Sequence, residues 1–324
     1  MQLSRARACH DDMSTGTDWS QIAERGSMLG LRAMLVCYRL VGRPLSLVLV
    51  HTIVLYYFLT LRSARRASRA YLRRMASRPR GAPALGRRPG ALASFLHFRA
   101  FALSIFDRIV LWFGREDEFR FQVVGREHYD RLLTPDCGGI VIGSHLGSFD
   151  ALRALSRHDG RVVNVVMFTR HAPRINAFFR QLSPNSQVRV IQADSHSLDS
   201  VLQIRSCVAR GELVAMLGDR MEPGNRDRSC RVSFLGDLVA FPTAPYWLAG
   251  LLECPLFFMV ALREEGGLYR VFAEALAEKV QLGREKREEN IRKLAASYAS
   301  RLEHYCEMAP YQWFNFFDFW NEES

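Results

Sequence analysis

The stretch Gly138–Asp150, Gly-Gly-Ile-Val-Ile-Gly-Ser-His-Leu-Gly-Ser-Phe-Asp, constrains the fold of this chain more than any other. Ile140-Val141-Ile142 is a short β-branched run that reads as a buried strand. Gly143 and Ser144 break it. Ser144 or Ser148 can cap a helix that continues through Ala151-Leu152-Arg153-Ala154-Leu155. A buried strand running through a tight turn into a helix is a unit of an α/β fold.

His145 then stands at the strand-to-helix turn, where loops carry chemistry. Asp150 follows five residues later. On a continuous helix that spacing separates two side chains by about 140°. His145 must therefore lie outside the regular helix if its ring is to meet the Asp150 carboxylate. In that arrangement Asp150 orients His145, and the other ring nitrogen takes a proton from a hydroxyl. Helix-start N–H groups would face a phosphate or a developing oxyanion. Gly147 would let a carbonyl group approach closely. The spacing alone is also met by an imidazole with a purely structural or solvated place in a turn. The stretch has neither the Gly-x-Ser-x-Gly register of a nucleophile elbow nor the Gly-Lys-Ser/Thr of a Walker A loop.

Charge narrows the choice of partner. The 44 Lys and Arg against 33 Asp and Glu give a net charge of +11, which suits a membrane surface, phosphate groups, an acidic carrier protein or nucleic acid. No zinc-finger spacing or RNA-binding signature favours nucleic acid. The seven Cys are scattered without a Cys-x-x-Cys pair, so they read as reduced thiols of a cytoplasm-facing protein. His and Cys do not cluster with ligand spacing, and no metal site is expected.

Taken in order, residues 1–18 are polar and irregular and read as a disordered tail. Residues 19–75 read as apolar and amphipathic helices that associate with a membrane. Within them Pro44–Leu61 is an almost unbroken apolar run of 18 residues, at the short end for a span and interrupted by His51. Arg62, Arg65, Arg66, Arg69, Arg73 and Arg74 follow, where a headgroup layer would lie. A span, an in-plane interfacial helix and a buried core helix all fit this run. The positive flank places the rest of the chain in the cytoplasm. The Pro/Gly/Arg stretch 76–90 reads as a linker, and 91–324 as the catalytic domain.

Helices are expected from Ala91 to about Phe113, Glu127–Leu133, Leu198–Ala209, Tyr246–Leu252 and Glu285–Glu307. Strands are expected at Phe119–Val124, Val162–Phe168, Val188–Ile191, Glu212–Leu217 and Leu256–Leu262, with Tyr269–Phe272 as the hairpin partner of the last. Residues 221–233, rich in Arg, read as a mobile loop. The aromatic tail Pro310–Trp320 is either a packed cap or an interfacial edge. Arg170, and Asp219 with Arg220, stand at the C-terminal ends of strands, where open α/β sheets bind ligands. Arg is suited to forked pairing with phosphate or carboxylate. Each of these charges would also be at home in a solvated loop.

His145-Leu146-Gly147-Ser148-Phe149-Asp150 resembles the first block of the glycerolipid and lysophospholipid acyltransferase superfamily. Gly218-Asp219-Arg220, Phe234-Leu235-Gly236 and Phe241-Pro242 before an Ala/Leu helix resemble its third block, in the form of the bacterial lipid A late acyltransferases. The apolar N-terminal segment, its Arg-rich flank and Gln312-Trp313-Phe314 agree with that branch, and the resemblance covers most of 19–320. Two departures stand out: the lipid A enzymes often carry Glu where Asp150 stands, and Phe257–Val260 lacks the fourth-block proline.

The resemblance implies transfer of a fatty acyl chain from an acyl carrier protein or coenzyme A thioester to a hydroxyl of a glycolipid or lysolipid. It implies His145 as general base, Asp150 as its orienter, and Arg170, Asp219 and Arg220 as substrate-binding residues beside Gly147 and Ser148. No cofactor is implied beyond the thioester co-substrate. The expected protein is thus an α/β enzyme, a mixed sheet flanked by helices behind a helical anchor at the bacterial inner membrane. A lipid hydrolase using the same pair, and a membrane scaffold with a degenerate motif, are the rival readings.

Overall fold

The structure, a computed structural model, describes residues 24–79, 85–86, 88–167, 188–192, 198–221 and 226–320. The strands β2 (Gly139–Gly143) and β5 (Leu213–Leu217) show why the fold forms. Both strands are apolar throughout, and all five residues of β2 are buried. A strand with no polar face needs covering on both sides, which a parallel sheet with helices on each face supplies.

The seven-stranded sheet has the order β1-β9-β8-β2-β5-β3-β4. β8 (Leu256–Arg263), β2, β5, β3 (Val163–Met167) and β4 (Val188–Gln192) run parallel. β9 (Leu268–Ala277) folds back antiparallel on β8 through the Glu265–Gly267 turn, and β1 (Arg120–Val124) runs beside β9. The sheet is therefore mixed, as expected.

Side chains alternate between two cores. Ile140, Ile142, Val214, Met216 and Phe258 enter one, with α2 (Arg62–Ala76), α6 (Leu198–Ala209), α7 (Ala244–Leu251) and α8 (Arg287–Met308) over them. Val141, Ala215, Phe257 and Ala261 enter the other, under α1 (Glu24–Thr60), α3 (Ala91–Trp112), α4 (Arg126–Leu133) and α5 (Phe149–His158). In α8 the buried set Ile291, Ala295, Tyr298, Ala299, Leu302, Tyr305 and Cys306 follows the 3.6-residue period. Burying each large side chain of this set contributes about 1.5–3 kcal/mol.

The N-terminal helices, which precede the 76–90 stretch, share these cores with the elements that follow it. α1 bends at Gly42, which has φ 71°, just before Pro44. Val50 and Val54 are buried, and Phe58 packs edge-on against Phe95 and Phe98 of α3. Leu45, Val48, Leu55, Tyr56 and Leu59 face outward. Val36–Thr60 is long and apolar enough to cross a membrane. His51 is not stranded in the run, since Arg99 Nε donates to its Nε2 at 2.9 Å. α2 buries Tyr71, Leu72 and Met75. Its arginines divide: Arg74 pairs with Asp237 and stacks on Trp320, while Arg62, Arg66 and Arg73 are exposed.

A buried carboxylate joins α1 to the sheet. Asp107, fully buried, is paired with Arg43 of α1 at 3.0 Å and Arg263 of β8 at 2.6 Å, and Tyr269 Oη donates to it at 2.9 Å. Two cations and a hydroxyl satisfy a charge that would otherwise be costly to bury.

One expectation fails in this layer. Residues 229–233, the end of the expected 221–233 loop, are not a loop. With Phe234 they form β6 (Ser229–Phe234), a hairpin with β7 (Asp237–Pro242). Val232 and Phe234 turn inward while Arg231 and Ser233 face solvent, the period of a half-buried strand.

Candidate active site

β2 and β5 are hydrogen-bonded neighbours in register, Gly143 opposite Leu217. Gly218 extends the pairing by donating its N–H to the Gly143 carbonyl at 3.0 Å. Only glycine fits there, because a Cβ would lie 2.6 Å from Ile142 Cγ2. Two residues past each paired position stand His145 and Asp219, brought side by side at the C-terminal edge of the sheet.

There Asp219 Oδ1 accepts from His145 Nδ1 at 2.8 Å, and Oδ2 accepts from the His145 backbone N–H at 2.8 Å. Trp313 Nε1 donates to the same Oδ2 at 2.9 Å. Burial pushes the Asp219 carboxyl up, but the contacts with His145 and the charge of Arg220 outweigh it and hold the group at about 2. Burial depresses His145 below its ordinary value, against the pull of Asp219 and with help from Arg220 and Arg108. The ring is thus neutral at pH 7. The Nδ1–H faces Asp219, which leaves Nε2 as the basic nitrogen. The side chain keeps 27% of its surface exposed, and no described residue is hydrogen-bonded to Nε2.

Asp150 does not hold His145, contrary to expectation. It lies in the first turn of α5, and its carboxylate turns to α3. Oδ1 accepts from Trp112 Nε1 at 2.9 Å, and Oδ2 is paired with Arg108 at 2.5 Å. The reason is topological: the neighbouring strand end places Asp219 against the ring, while the helix start aims Asp150 at a cationic helix face.

The turn itself is fastened to the C-terminal segment. Leu146 and Trp313 form an antiparallel bridge, Gly147 N–H donates to the Gln312 carbonyl at 2.9 Å, and Phe314 N–H donates to the His145 carbonyl at 2.9 Å. Ser148 N–H donates to the Ala261 carbonyl at 2.9 Å, and Ser148 Oγ caps α5 by accepting from Ala151 N–H at 3.1 Å. Ser148 is therefore the cap, and Ser144 Oγ accepts instead from Leu146 N–H at 3.3 Å. The N–H groups of His145, Gly147 and Ser148 all have protein partners. These three N–H groups are therefore not available to hold an anion. Gly147 has φ 72°, and a Cβ there would lie 2.1 Å from the Ala261 carbonyl oxygen. Its role visible here is a tight backbone approach.

Arg220 stays at the site. Its Nη2 donates to the Phe314 carbonyl at 2.8 Å, and its guanidinium lies over the Phe317 ring. Arg170 lies outside the described residues. Among the described residues no group of His, Cys, Asp and Glu could hold a metal ion. Arg108, Trp112 and Trp313 are the site neighbours that the sequence reading missed. The tail's Gln-Trp-Phe was the one available signal for Trp313.

This geometry can hold a neutral imidazole by a buried carboxylate and present its other nitrogen to a hydroxyl, within the field of Arg220 and Arg108. Residues 96–322, well over half of the chain, match the family model of bacterial lipid A biosynthesis acyltransferases. No curated protein matches the chain. Among solved structures it is similar to the 1-acyl-sn-glycerophosphate (LPA) acyltransferase PlsC from Thermotoga maritima. The identity is 12% and the TM-score 0.33, over 80% of this chain and 95% of that one. By the family match, the chain belongs to the bacterial lipid A biosynthesis acyltransferases.

Proposed function

We propose that this acyltransferase moves a fatty acyl chain from an acyl carrier protein or coenzyme A thioester to a hydroxyl of an anionic glycolipid or lysolipid. His145 is the general base. Its Nε2 takes the proton of the acceptor hydroxyl, and the oxygen attacks the thioester carbonyl. The tetrahedral oxyanion collapses, the C–S bond breaks, and the thiolate leaves with the proton returned by His145. Asp219 keeps the ring in the tautomer with Nδ1 protonated and steadies the imidazolium that forms. The positive charges of Arg220 and Arg108 lie near enough to the ring to act on its titration, and the same charges favour the developing oxyanion.

The observation that carries this reading is the His145 Nδ1 to Asp219 Oδ1 contact of 2.8 Å beside an open Nε2. The outward apolar face of α1, with the exposed Arg62 and Arg66 at the start of α2 and Arg73 in its last turn, supports attachment to the inner membrane from the cytoplasmic side. The test incubates the full chain with a labelled dodecanoyl thioester of acyl carrier protein or coenzyme A and total bacterial membrane lipid in detergent micelles. Label appearing in lipid supports transfer. Label appearing only as free fatty acid favours hydrolysis, and an unconsumed thioester contradicts both.

A further inference from the structure

Asp219 is held from two sides. The ring and backbone of His145 take one side. On the other, Trp313 Nε1 donates to Oδ2 at 2.9 Å. We propose that Trp313 is a positioning residue for the transfer reaction, its indole N–H fixing the Asp219 carboxylate and, through it, the orientation of His145. This inference rests on the reading of His145 as the base.

Three observations support it. First, bulk alone does not call for an indole at this place. Trp313 is 1% exposed among Tyr71, Phe234 and Phe319, rings that make an apolar site. An indole N–H buried among them without an acceptor would be costly, and the acceptor it finds is Asp219. Second, a carboxylate turns easily about its last bond. With Oδ2 bonded to both an indole and a backbone N–H, Oδ1 stays aimed at the ring. Third, Trp313 is itself anchored. His97, fully buried, has Nε2 2.8 Å from the Trp313 carbonyl and Nδ1 3.1 Å from Ser68 Oγ. A carbonyl can only accept, so Nε2 carries the proton and Nδ1 accepts from Ser68. The Leu146–Trp313 bridge ties the same residue to the catalytic turn.

The experiment replaces Trp313 in the full chain in two ways. Trp313→Phe keeps an aromatic ring and removes the N–H. Replacement by 3-benzothienylalanine keeps the bicyclic bulk and puts sulfur where the N–H was. Transfer from the dodecanoyl thioester to membrane lipid is followed across pH, and melting is recorded alongside. The expected result for both variants is a kcat lower by about ten- to a hundredfold, the scale of a lost hydrogen bond to a charged group. KM for the thioester stays within about twofold, because the indole touches no substrate. The acidic limb moves to higher pH, because a carboxylate short of one donor stabilises the imidazolium more.

Wild-type kcat and pH profile in the benzothienyl variant, or a loss confined to Trp313→Phe, would overturn the proposal in favour of simple filling. A lower melting temperature with an unmoved acidic limb would do the same. If the wild type transfers nothing, the reading of the reaction fails separately. The pKa of His145, followed by NMR in the full chain, then decides for Trp313. A higher value in the benzothienyl variant supports positioning, and an equal value refutes it.

Discussion

Asp219 accepts hydrogen bonds from both the ring Nδ1 and the backbone N–H of His145, each at 2.8 Å, across 74 residues of chain. The bidentate contact joins the ends of two adjacent parallel strands, so the frame that sets it is the sheet itself. A side chain fixed in this way by backbone register is held more firmly than one on a free loop.

Removing one carboxylate at a time separates the roles of the two acids. Asp219→Asn is expected to lower kcat by about 10²–10⁴-fold, because an amide no longer selects the ring tautomer or steadies the imidazolium. Asp150→Asn loses the ion pair with Arg108 and is expected to cost about 1–3 kcal/mol of stability with kcat changed less than about tenfold. Steady-state kinetics and denaturant unfolding of both variants check this, and the reverse ranking would return the orienting role to Asp150.

Gly147 combines φ 72° with a backbone oxygen in the place of any Cβ. Gly147→Ala is expected to break the bond from Gly147 N–H to Gln312 and to destabilise the fold by more than about 2 kcal/mol, through left-handed strain plus overlap. Activity is expected to vanish with it. Thermal unfolding and transfer assays on the same preparation measure both effects.

His97 makes the fold acid-sensitive. Burial pulls it down to about 4, only partly offset by its bond to the Trp313 carbonyl. As pH falls below the ordinary value near 6.5, the unfolded chain binds a proton that the folded chain refuses, so stability drops until about pH 4 and then levels. The loss is about 3 kcal/mol. His145, shifted in the same direction, adds to it. Denaturant unfolding between pH 7 and pH 4 should show a shallower decline in His97→Gln.

The strand-to-helix turn at Gly138–Asp150 was legible because its β-branched run, Gly/Ser break and helical continuation occur within a dozen residues. The partner of His145 was not. Spacing along the chain favours Asp150, while strand order brings Asp219 alongside, and strand order is a long-range property that no local pattern carries. β6 was hidden because the charged residues just ahead of it, joined by its own outward Arg231, dominate the composition of 221–233, although Val232 and Phe234 turn inward between outward Arg231 and Ser233. The tail showed its aromatic content but not that Trp313 reaches the carboxylate. The Pro44–Leu61 run fits three readings because its inner face suits a core and its outer face a bilayer, and the fold uses the inner face against α3.

Transfer by this chain depends on the imidazole of His145. The most direct test compares purified wild type with His145→Ala, both shown by circular dichroism and melting to be folded, in transfer of label from the acyl thioester to membrane lipid. The variant's rate is expected to fall below about a hundredth of the wild-type rate. The wild-type acidic limb is expected below the ordinary histidine value, because burial depresses the ring. A folded His145→Ala chain that transfers at the wild-type rate would contradict that dependence.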